Sequence, residues 1–105
     1  MKPAVRVKIG RGIGTDQLPG ATVRSTHTGR TQTLRSDDTW HYTFPDDKTK
    51  LYVECLSNRL SVEITNQTTV PLTLTTKLGK DELTDYLAHN KSYKVPTGAR
   101  CTVSA

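Results

Sequence analysis

The chain is poor in cysteine, in aromatic residues and in long apolar runs. Its 105 residues include two cysteines and one tryptophan, and 33% of them are hydrophobic. No run approaches the roughly 18 to 20 apolar residues of a membrane span. The first ten residues, MKPAVRVKIG, lack the continuous apolar core of a signal peptide. The sequence therefore predicts no membrane span and no secretory signal. It predicts synthesis in a cytoplasm.

Patterns that carry chemistry are also missing. The cysteines form no CxxC pair, which leaves zinc and thioredoxin-type sites without support. No GxSxG motif occurs, and Gly10-x-Gly12-x-Gly14 is not the dinucleotide fingerprint. The sequence predicts no enzyme and no catalytic, cofactor-binding or metal-binding residue. The scattered His27, His41 and His89 match no ligand spacing, and the pairs Asp37-Asp38 and Asp46-Asp47 are typical of turns.

Threonine is abundant, with 18 residues, and it favours strands. Apolar residues alternate with polar ones, as in Val5, Val7 and Ile9, which indicates strands with one buried face. The clear runs are 5–9, 51–56, 60–65, 70–74, 93–95 and 101–103, and the weaker ones are 21–25, 31–34 and 40–44. The sequence thus predicts one all-β domain over residues 1–105, an antiparallel sandwich or barrel of about 8 to 10 short strands.

At most one short helix is expected. The segment from Lys80 to Leu87 has leucines four residues apart and acidic residues early, which fits two helical turns, although a loop fits nearly as well. Ser57-Asn58 is short enough for a tight hairpin between two strong strands, and Asn66-Gln67-Thr68-Thr69 is expected to form the next turn. Pro71 suggests that its strand lies at a sheet edge.

Residues 10–20 contain four glycines and a proline and are expected to form a loop or an arm. An arm would wrap a neighbouring subunit, and a mobile surface loop is at least as well supported. The first 36 residues also carry seven basic side chains against one acidic one. This basic third suits an acidic protein surface or nucleic acid, although a solvated cationic face is the simpler interpretation. The candidate partner-contact residues are Arg6, Lys8, Arg11, Ile13, Leu18, Arg24, Arg30 and Arg35.

Trp40, Tyr42 and Phe44 alternate with polar residues, so their rings are expected on one face of a strand. They could stack on a sugar ring or a base, but the core is the favoured location for large aromatic side chains. Cys55 and Cys101 lie in apolar strand positions, where two buried free thiols are favoured over a disulfide.

A low apolar content implies a thin core, which a neighbouring subunit often completes. The favoured function is therefore a non-enzymatic structural subunit of an assembly, such as a bacteriophage head decoration or cement protein, or a head-closure or tail component. Its expected partners are protein subunits, namely further copies of the chain, a capsid protein or both. Its expected location is the virion, after synthesis in the host cytoplasm. The alternative is a carbohydrate- or lipid-headgroup-binding sandwich. The third hypothesis is nucleic-acid binding through Arg24, Arg30 and Arg35.

Overall fold

Residues 2–105, described by a computed structural model, form two antiparallel sheets packed face to face. The smaller sheet has the strand order β4-β1-β6-β9, and the larger has the order β3-β2-β5-β10-β7-β8. The predicted all-β sandwich is confirmed. The strands are β1 (Ala4–Ile9), β2 (Pro19–Ser25), β3 (Thr31–Arg35), β4 (Thr39–Thr43), β5 (Lys50–Cys55), β6 (Val62–Asn66), β7 (Leu72–Leu78), β8 (Asp81–Leu87), β9 (Ser92–Lys94) and β10 (Arg100–Ser104).

The core lies between the inward faces of the two sheets. In β1, Val5, Val7 and Ile9 are fully buried while Arg6 and Lys8 point to the outer face, as the alternation predicts. Most buried side chains are valine, leucine or isoleucine, and Phe44 is the one fully buried aromatic residue within 2–105. The threonines of the larger sheet mostly occupy its outer face, where a β-branched side chain fits the pleated surface and its hydroxyl reaches water.

The smaller sheet covers only part of the larger one. The Tyr42 hydroxyl of β4 hydrogen-bonds with Ser25 Oγ of β2, and the Tyr93 hydroxyl of β9 lies 2.7 Å from Thr76 Oγ1 of β7. Because β4 and β9 are the edges of the smaller sheet, its cover extends from β2 to β7. The outermost strands, β3 and β8, are called here the overhanging strands. β8 lies beyond this cover, whereas β3 still contributes Leu34, which is 6% exposed, to the core. All residues of β8 except Leu87 are exposed.

The segment from Lys80 to Leu87 is neither a helix nor a loop, and this prediction was wrong. It forms β8, which pairs with β7 from Leu72↔Leu87 to Leu78↔Asp81. A spacing of four places Leu83 and Leu87 on one face in a strand as well as in a helix, so the leucines did not discriminate. The connection is a two-residue turn in which Gly79 has a φ of 61°. Glycine first with a positive φ is the pattern of a type II′ hairpin turn.

Two further expectations about connections were wrong. Ser57-Asn58 makes no hairpin, because β5 lies in the larger sheet and β6 in the smaller one, so this connection crosses between the sheets. Pro71 does not mark a sheet edge, because β7 begins after it at Leu72 and pairs with β10 on one side and β8 on the other. Pro71 is tolerated because it lies outside the hydrogen-bonded ladder.

Asn66 fixes the crossing from β6 to β7. Its side chain is fully buried, and its Nδ2 donates to the carbonyl oxygens of Val70 and Leu87, each at 2.8 Å. Its Oδ1 accepts from the backbone amide of Thr68 at 2.8 Å and from the Thr68 hydroxyl at 2.6 Å. One buried side chain thus satisfies the polar groups of a connection that no sheet ladder serves.

Candidate functional site

The overhanging strand β8 presents apolar side chains to solvent. Leu83 is 74% exposed and Tyr86 is 70% exposed, and Leu78 at the end of β7 is 46% exposed. Leu83 and Leu78 lie on the inner face of the sheet, beyond the edge of the smaller sheet, whereas Tyr86 lies opposite Thr73 on the outer face. Three of the six large hydrophobic side chains that residues 2–105 expose therefore lie on one hairpin, two on its inner face and one on its outer face. Exposed apolar side chains at a free sheet edge are typical of a docking site.

The charge of β8 is acidic. Asp81, Glu82 and Asp85 lie on the strand, and no Lys or Arg lies within Asp81–Leu87. Glu82 makes an exposed ion pair of 3.6 Å with Lys77 of β7. Exposed pairs of this kind contribute little to stability. The carboxylates therefore give this edge a negative charge and add little to the stability of the fold.

The other overhanging strand, β3, is basic. Arg35 lies at its end and Arg30 directly precedes it, with no carboxylate between them. The Arg35 backbone amide donates to Asp38 Oδ2 at 2.8 Å, and its carbonyl accepts from the Asp38 amide at 3.0 Å. Its guanidinium donates to the carbonyl of Gln17 at 2.7 Å. The tight turn at Asp37, where φ is 70°, thus blocks only the last residue of this edge.

A cleft of about 320 Å³ lies between β3 and β4, where the sandwich opens beside the overhang. Trp40 and Tyr42 stack with centroids 5.4 Å apart, and Tyr42 meets Phe44 edge to face at 5.2 Å. Phe44 belongs to the core, whereas Trp40 and Tyr42 are half-buried at its margin. Arg30, Gln32, Thr28 and Ser25 supply polar groups to the cleft. The row of rings predicted from the sequence is thus partly core and partly cleft wall.

The glycine-rich segment packs against its own chain. Strand β2 begins at Pro19, so the loop ends at Leu18, two residues earlier than predicted. Thr15 is buried, and its Oγ1 accepts from the Gly12 amide at 2.9 Å. Arg59 donates to the Ile13 carbonyl at 2.9 Å, and Leu18 packs against the core. Ile13 itself is 98% exposed, so its side chain is available to a partner.

The basic residues of the first third do not form one surface. Arg6 and Lys8 lie on the outer face of the smaller sheet, and Arg11 pairs with Asp16 at 3.0 Å in the loop. On the opposite side of the molecule, the Arg24 guanidinium lies 4.6 Å from the centre of the Tyr52 ring. Arg30 borders the cleft. The fold separates these charges, so a single continuous phosphate-binding groove does not result from them.

The histidines and acidic pairs of residues 2–105 form no metal-ligating group. His41 Nδ1 is 3.2 Å from Gln67 Oε1, and no group of three metal-ligating side chains converges among residues 2–105. Asp46 Oδ1 accepts from the amides of Lys48 and Thr49 and from the Thr49 hydroxyl. These bonds, the Thr49 hydroxyl foremost, lower the pKa of Asp46. This carboxylate stabilises the turn before β5.

Cys55 and Cys101 are free and buried. Burial raises the pKa of the Cys101 thiol to about 11, against a weaker opposing effect of its hydrogen bond with Thr76. A buried thiol that stays protonated is a poor nucleophile. Cys101 therefore acts as a small apolar side chain of the core.

Leu78, Leu83 and Tyr86 are not among the contact residues that the sequence predicts. Their exposure follows from the unequal width of the two sheets, for which the alternation of β7 and β8 gives no signal. No helix long and apolar enough to cross a membrane occurs in the described residues. A scan against protein-family models found no match, and a search of curated proteins found no significant similarity.

Proposed function

We propose that the chain is a non-enzymatic structural subunit of an ordered protein assembly. The observation that carries this proposal is the uncovered apolar edge of the larger sheet, where Leu78, Leu83 and Tyr86 lie in solvent. A free, apolar edge strand is a hazard for a chain that functions alone, because it pairs with other chains. In a subunit, a neighbour covers the edge and adds the apolar burial that a thin core lacks.

We further propose that the assembly is a bacteriophage virion, in which the chain is a head decoration or cement protein, or a head-closure or tail component. The small size, the threonine-rich strands and the basic first third support this assignment, since a basic surface suits docking on an acidic shell. Arg6 and Lys8 on the outer face of the smaller sheet supply such a surface. They leave the overhanging strands of the larger sheet available to other contacts.

Sedimentation of source material tests this proposal. In an extract of the source cells, an antibody against the chain is expected to detect it with particles far larger than one subunit. A tagged Leu83→Ser chain is expected to bind these particles less than wild type, whereas Leu56→Ser, which changes an exposed leucine away from β8, retains binding. A wild-type chain found only at the top of the gradient would contradict the proposal. Equal binding of the two variants would remove the apolar edge as its basis.

The cleft beside Trp40 favours a second candidate function, the binding of a carbohydrate. Stacked, half-buried rings beside Arg30, Gln32 and Ser25 combine an apolar platform with hydrogen-bonding groups. Such a combination suits a sugar ring, which has apolar faces and polar edges. A lipid headgroup would use the same groups. Arg24 packs on the Tyr52 ring and Arg35 is bonded to the Gln17 carbonyl, so these arginines give less support to the nucleic-acid hypothesis.

Glycan arrays and liposome sedimentation test the cleft. Binding is expected to be lost in Trp40→Ala and weakened in Arg30→Ala, and to persist in Tyr52→Ala, which removes a ring on the outer face instead. Near-ultraviolet circular dichroism checks that the Trp40→Ala chain retains its packing. The absence of binding by wild type to both panels would reject this candidate, and binding that survives both cleft variants would place the ligand elsewhere.

A further inference from the structure

On the side of β8 that faces away from β7, the backbone amide and carbonyl groups have no neighbouring strand among residues 2–105. The Tyr86 amide donates to Asp85 Oδ1 at 2.8 Å, which places it on the free side of the strand. Backbone groups of alternate residues in a strand point the same way, so those of Thr84 and Glu82 also face outward. The side chains of these three residues lie on the outer face of the sheet, opposite Thr73, Thr75 and Lys77. Three residues of β8 therefore present hydrogen-bonding groups to a further strand.

The free side of β3 has the corresponding arrangement. The Arg35 amide and carbonyl are bonded to Asp38 and therefore point away from β2. By the same alternation, the backbone groups of Thr33 and Thr31 point outward as well. Thr33 lies opposite Thr22 and Thr31 opposite Arg24, so their side chains are on the outer face. On both overhanging strands, the residues with outward backbone groups are thus those whose side chains face solvent.

The direction of the strands also matches. The larger sheet has six strands and is antiparallel at every junction, so β3 and β8 run in opposite directions. A second copy placed beside the first in the same orientation presents its β8 antiparallel to β3. The inner faces of the two larger sheets then stay on the same side. An even number of antiparallel strands therefore permits one sheet to continue from copy to copy.

One alignment of β3 with β8 of a second copy pairs opposite charges and also pairs apolar side chains. With Thr33 opposite Thr84, Leu34 lies opposite the exposed Leu83 on the inner face, and Arg35 opposite Glu82 on the outer face. Gln32 then faces Asp85, and Arg30 is diagonal to the same carboxylate. Shifting the register by two residues in either direction places Leu34 opposite Asp81 or Asp85. Opposed apolar pairs and opposite charges stabilise cross-strand neighbours.

We infer that copies of this chain associate head to tail, with β8 of one copy adding antiparallel to β3 of the next so that the six-stranded sheet continues through the assembly. This inference rests on the proposed role as an assembly subunit and names the partner as a second copy. The Asp85 carboxylate serves as the acceptor of the Tyr86 amide until the Thr31 carbonyl of the neighbour replaces it. Such a heterologous contact generates a ring or a filament.

Two-fold pairing of like edges is disfavoured by charge. A β8 to β8 contact collects the carboxylates of Asp81, Glu82 and Asp85 from both copies along one short junction. A β3 to β3 contact collects the guanidinium groups of Arg30 and Arg35 in the same way. Only the β3 to β8 contact combines the basic edge with the acidic one. Since a single strand pair buries little area, the contact is expected to be weak in the pure protein.

Complementation of edge variants tests the inference. Thr33→Pro and Thr84→Pro each remove an outward amide without removing a bond within the chain. By sedimentation velocity at concentrations up to about 1 mM, where even weak interfaces populate oligomers, wild type is expected to form a concentration-dependent series. Each proline variant alone is expected to be monomeric. Their mixture is expected to form a one-to-one heterodimer, because one variant retains β8 and the other retains β3.

Thr33→Val and Thr84→Val keep the amides and are expected to associate as wild type does. If Thr33→Pro alone still self-associates, a β8 to β8 contact or another surface is responsible, and the inference fails. A mixture that stays monomeric while wild type associates also overturns it, as does a wild type that remains monomeric at about 1 mM, where a contact of millimolar affinity would be visible. These outcomes concern the association of the pure protein. The proposed function is tested independently, by whether the chain sediments with particles in source material.

Charge reversal provides a second measurement that does not depend on proline. Arg35→Glu and Glu82→Arg are each expected to weaken association by up to about fivefold at low salt, because an exposed ion pair is worth at most about 1 kcal/mol. The double variant is expected to recover most of the loss, because the two charges are exchanged across the same junction. Far-ultraviolet circular dichroism checks that each variant is folded. A double variant weaker than both single variants would contradict the proposed register.

Discussion

The covered and the overhanging strands of the larger sheet both project leucine side chains from the inner face, but these side chains have different surroundings. Leu74 of β7 and Leu83 of β8 both project from the inner face, yet Leu74 is 2% exposed and Leu83 is 74% exposed. Leu74 packs beneath the smaller sheet, whereas Leu83 is left uncovered by residues 2–105. The strand's pairing therefore identifies the face, while the width of the opposing sheet decides whether that face is buried in the core or exposed to solvent.

The largest difference in stability is expected between the same leucine-to-alanine substitution at a covered position and at an exposed position of the larger sheet. Leu74→Ala is expected to lower the free energy of unfolding by about 2 to 5 kcal/mol, because it removes buried methyl groups and leaves a cavity. Leu83→Ala is expected to change it by less than about 0.5 kcal/mol, as surface substitutions usually do. Urea denaturation at low protein concentration measures both. Equal losses would show that the hairpin is covered within the monomer.

A large effect is also expected at Asn66, where the covered region depends on a polar side chain. Asn66→Ala is expected to cost about 2 to 4 kcal/mol, since it leaves the buried Thr68 amide without its acceptor and the Leu87 carbonyl without the Asn66 donor, while the Val70 carbonyl keeps the Thr68 hydroxyl. Asn58→Ala, in the exposed crossing after β5, is the control and is expected to change stability little. Thermal or urea unfolding compares them. A loss at Asn66 no greater than at Asn58 would refute the role assigned to this side chain.

A smaller effect is expected from pH at Cys101 in the covered region. Its folded pKa of about 11 lies above the ordinary value of 9.0, so folding favours the protonated thiol. This contribution is full below the ordinary pKa and is lost as the pH rises from it towards about 11. The loss is at most about 1.4 kcal/mol per pH unit for one group. Cys101→Ala is expected to show a shallower decline in unfolding free energy over this range; parallel curves would argue against it.

The smallest effect is expected at Asp46, an exposed turn residue outside both kinds of strand. Its folded pKa is lowered, chiefly by the Thr49 hydroxyl, so its contribution is present above the ordinary pKa and is lost as the pH falls through the folded value. Asp46→Asn is expected to lower stability slightly at neutral pH, with a difference from wild type that vanishes in acid. Asp47→Asn is the control. A difference that persists in acid would assign the effect to packing instead.

The alternating sequence was sufficient to predict nine of the ten strands, because a period of two marks a half-buried strand wherever it occurs. It failed at β8, where Leu83 and Leu87 fit a helix equally well and Asp81, Glu82 and Asp85 conceal the alternation. It also failed at Ser57-Asn58, since a short connection looks the same whether it turns within a sheet or crosses to the other. Arg30 and Arg35 mark the basic edge in the sequence, since they flank the predicted strand β3. The acidic edge could not be predicted, because β8 was not recognised as a strand.

The sequence by itself determined an all-β chain, the inner and outer face of most strands, a low apolar content and two thiols without a pairing signal. These properties follow from local alternation and composition, which each residue carries with it. The tertiary structure alone decided that the sheets are unequal, that β3 and β8 are the free edges of the larger sheet, and that their outward residues match in face and direction. Those properties depend on which strands pair at long range, and a strand's own residues do not specify its neighbour.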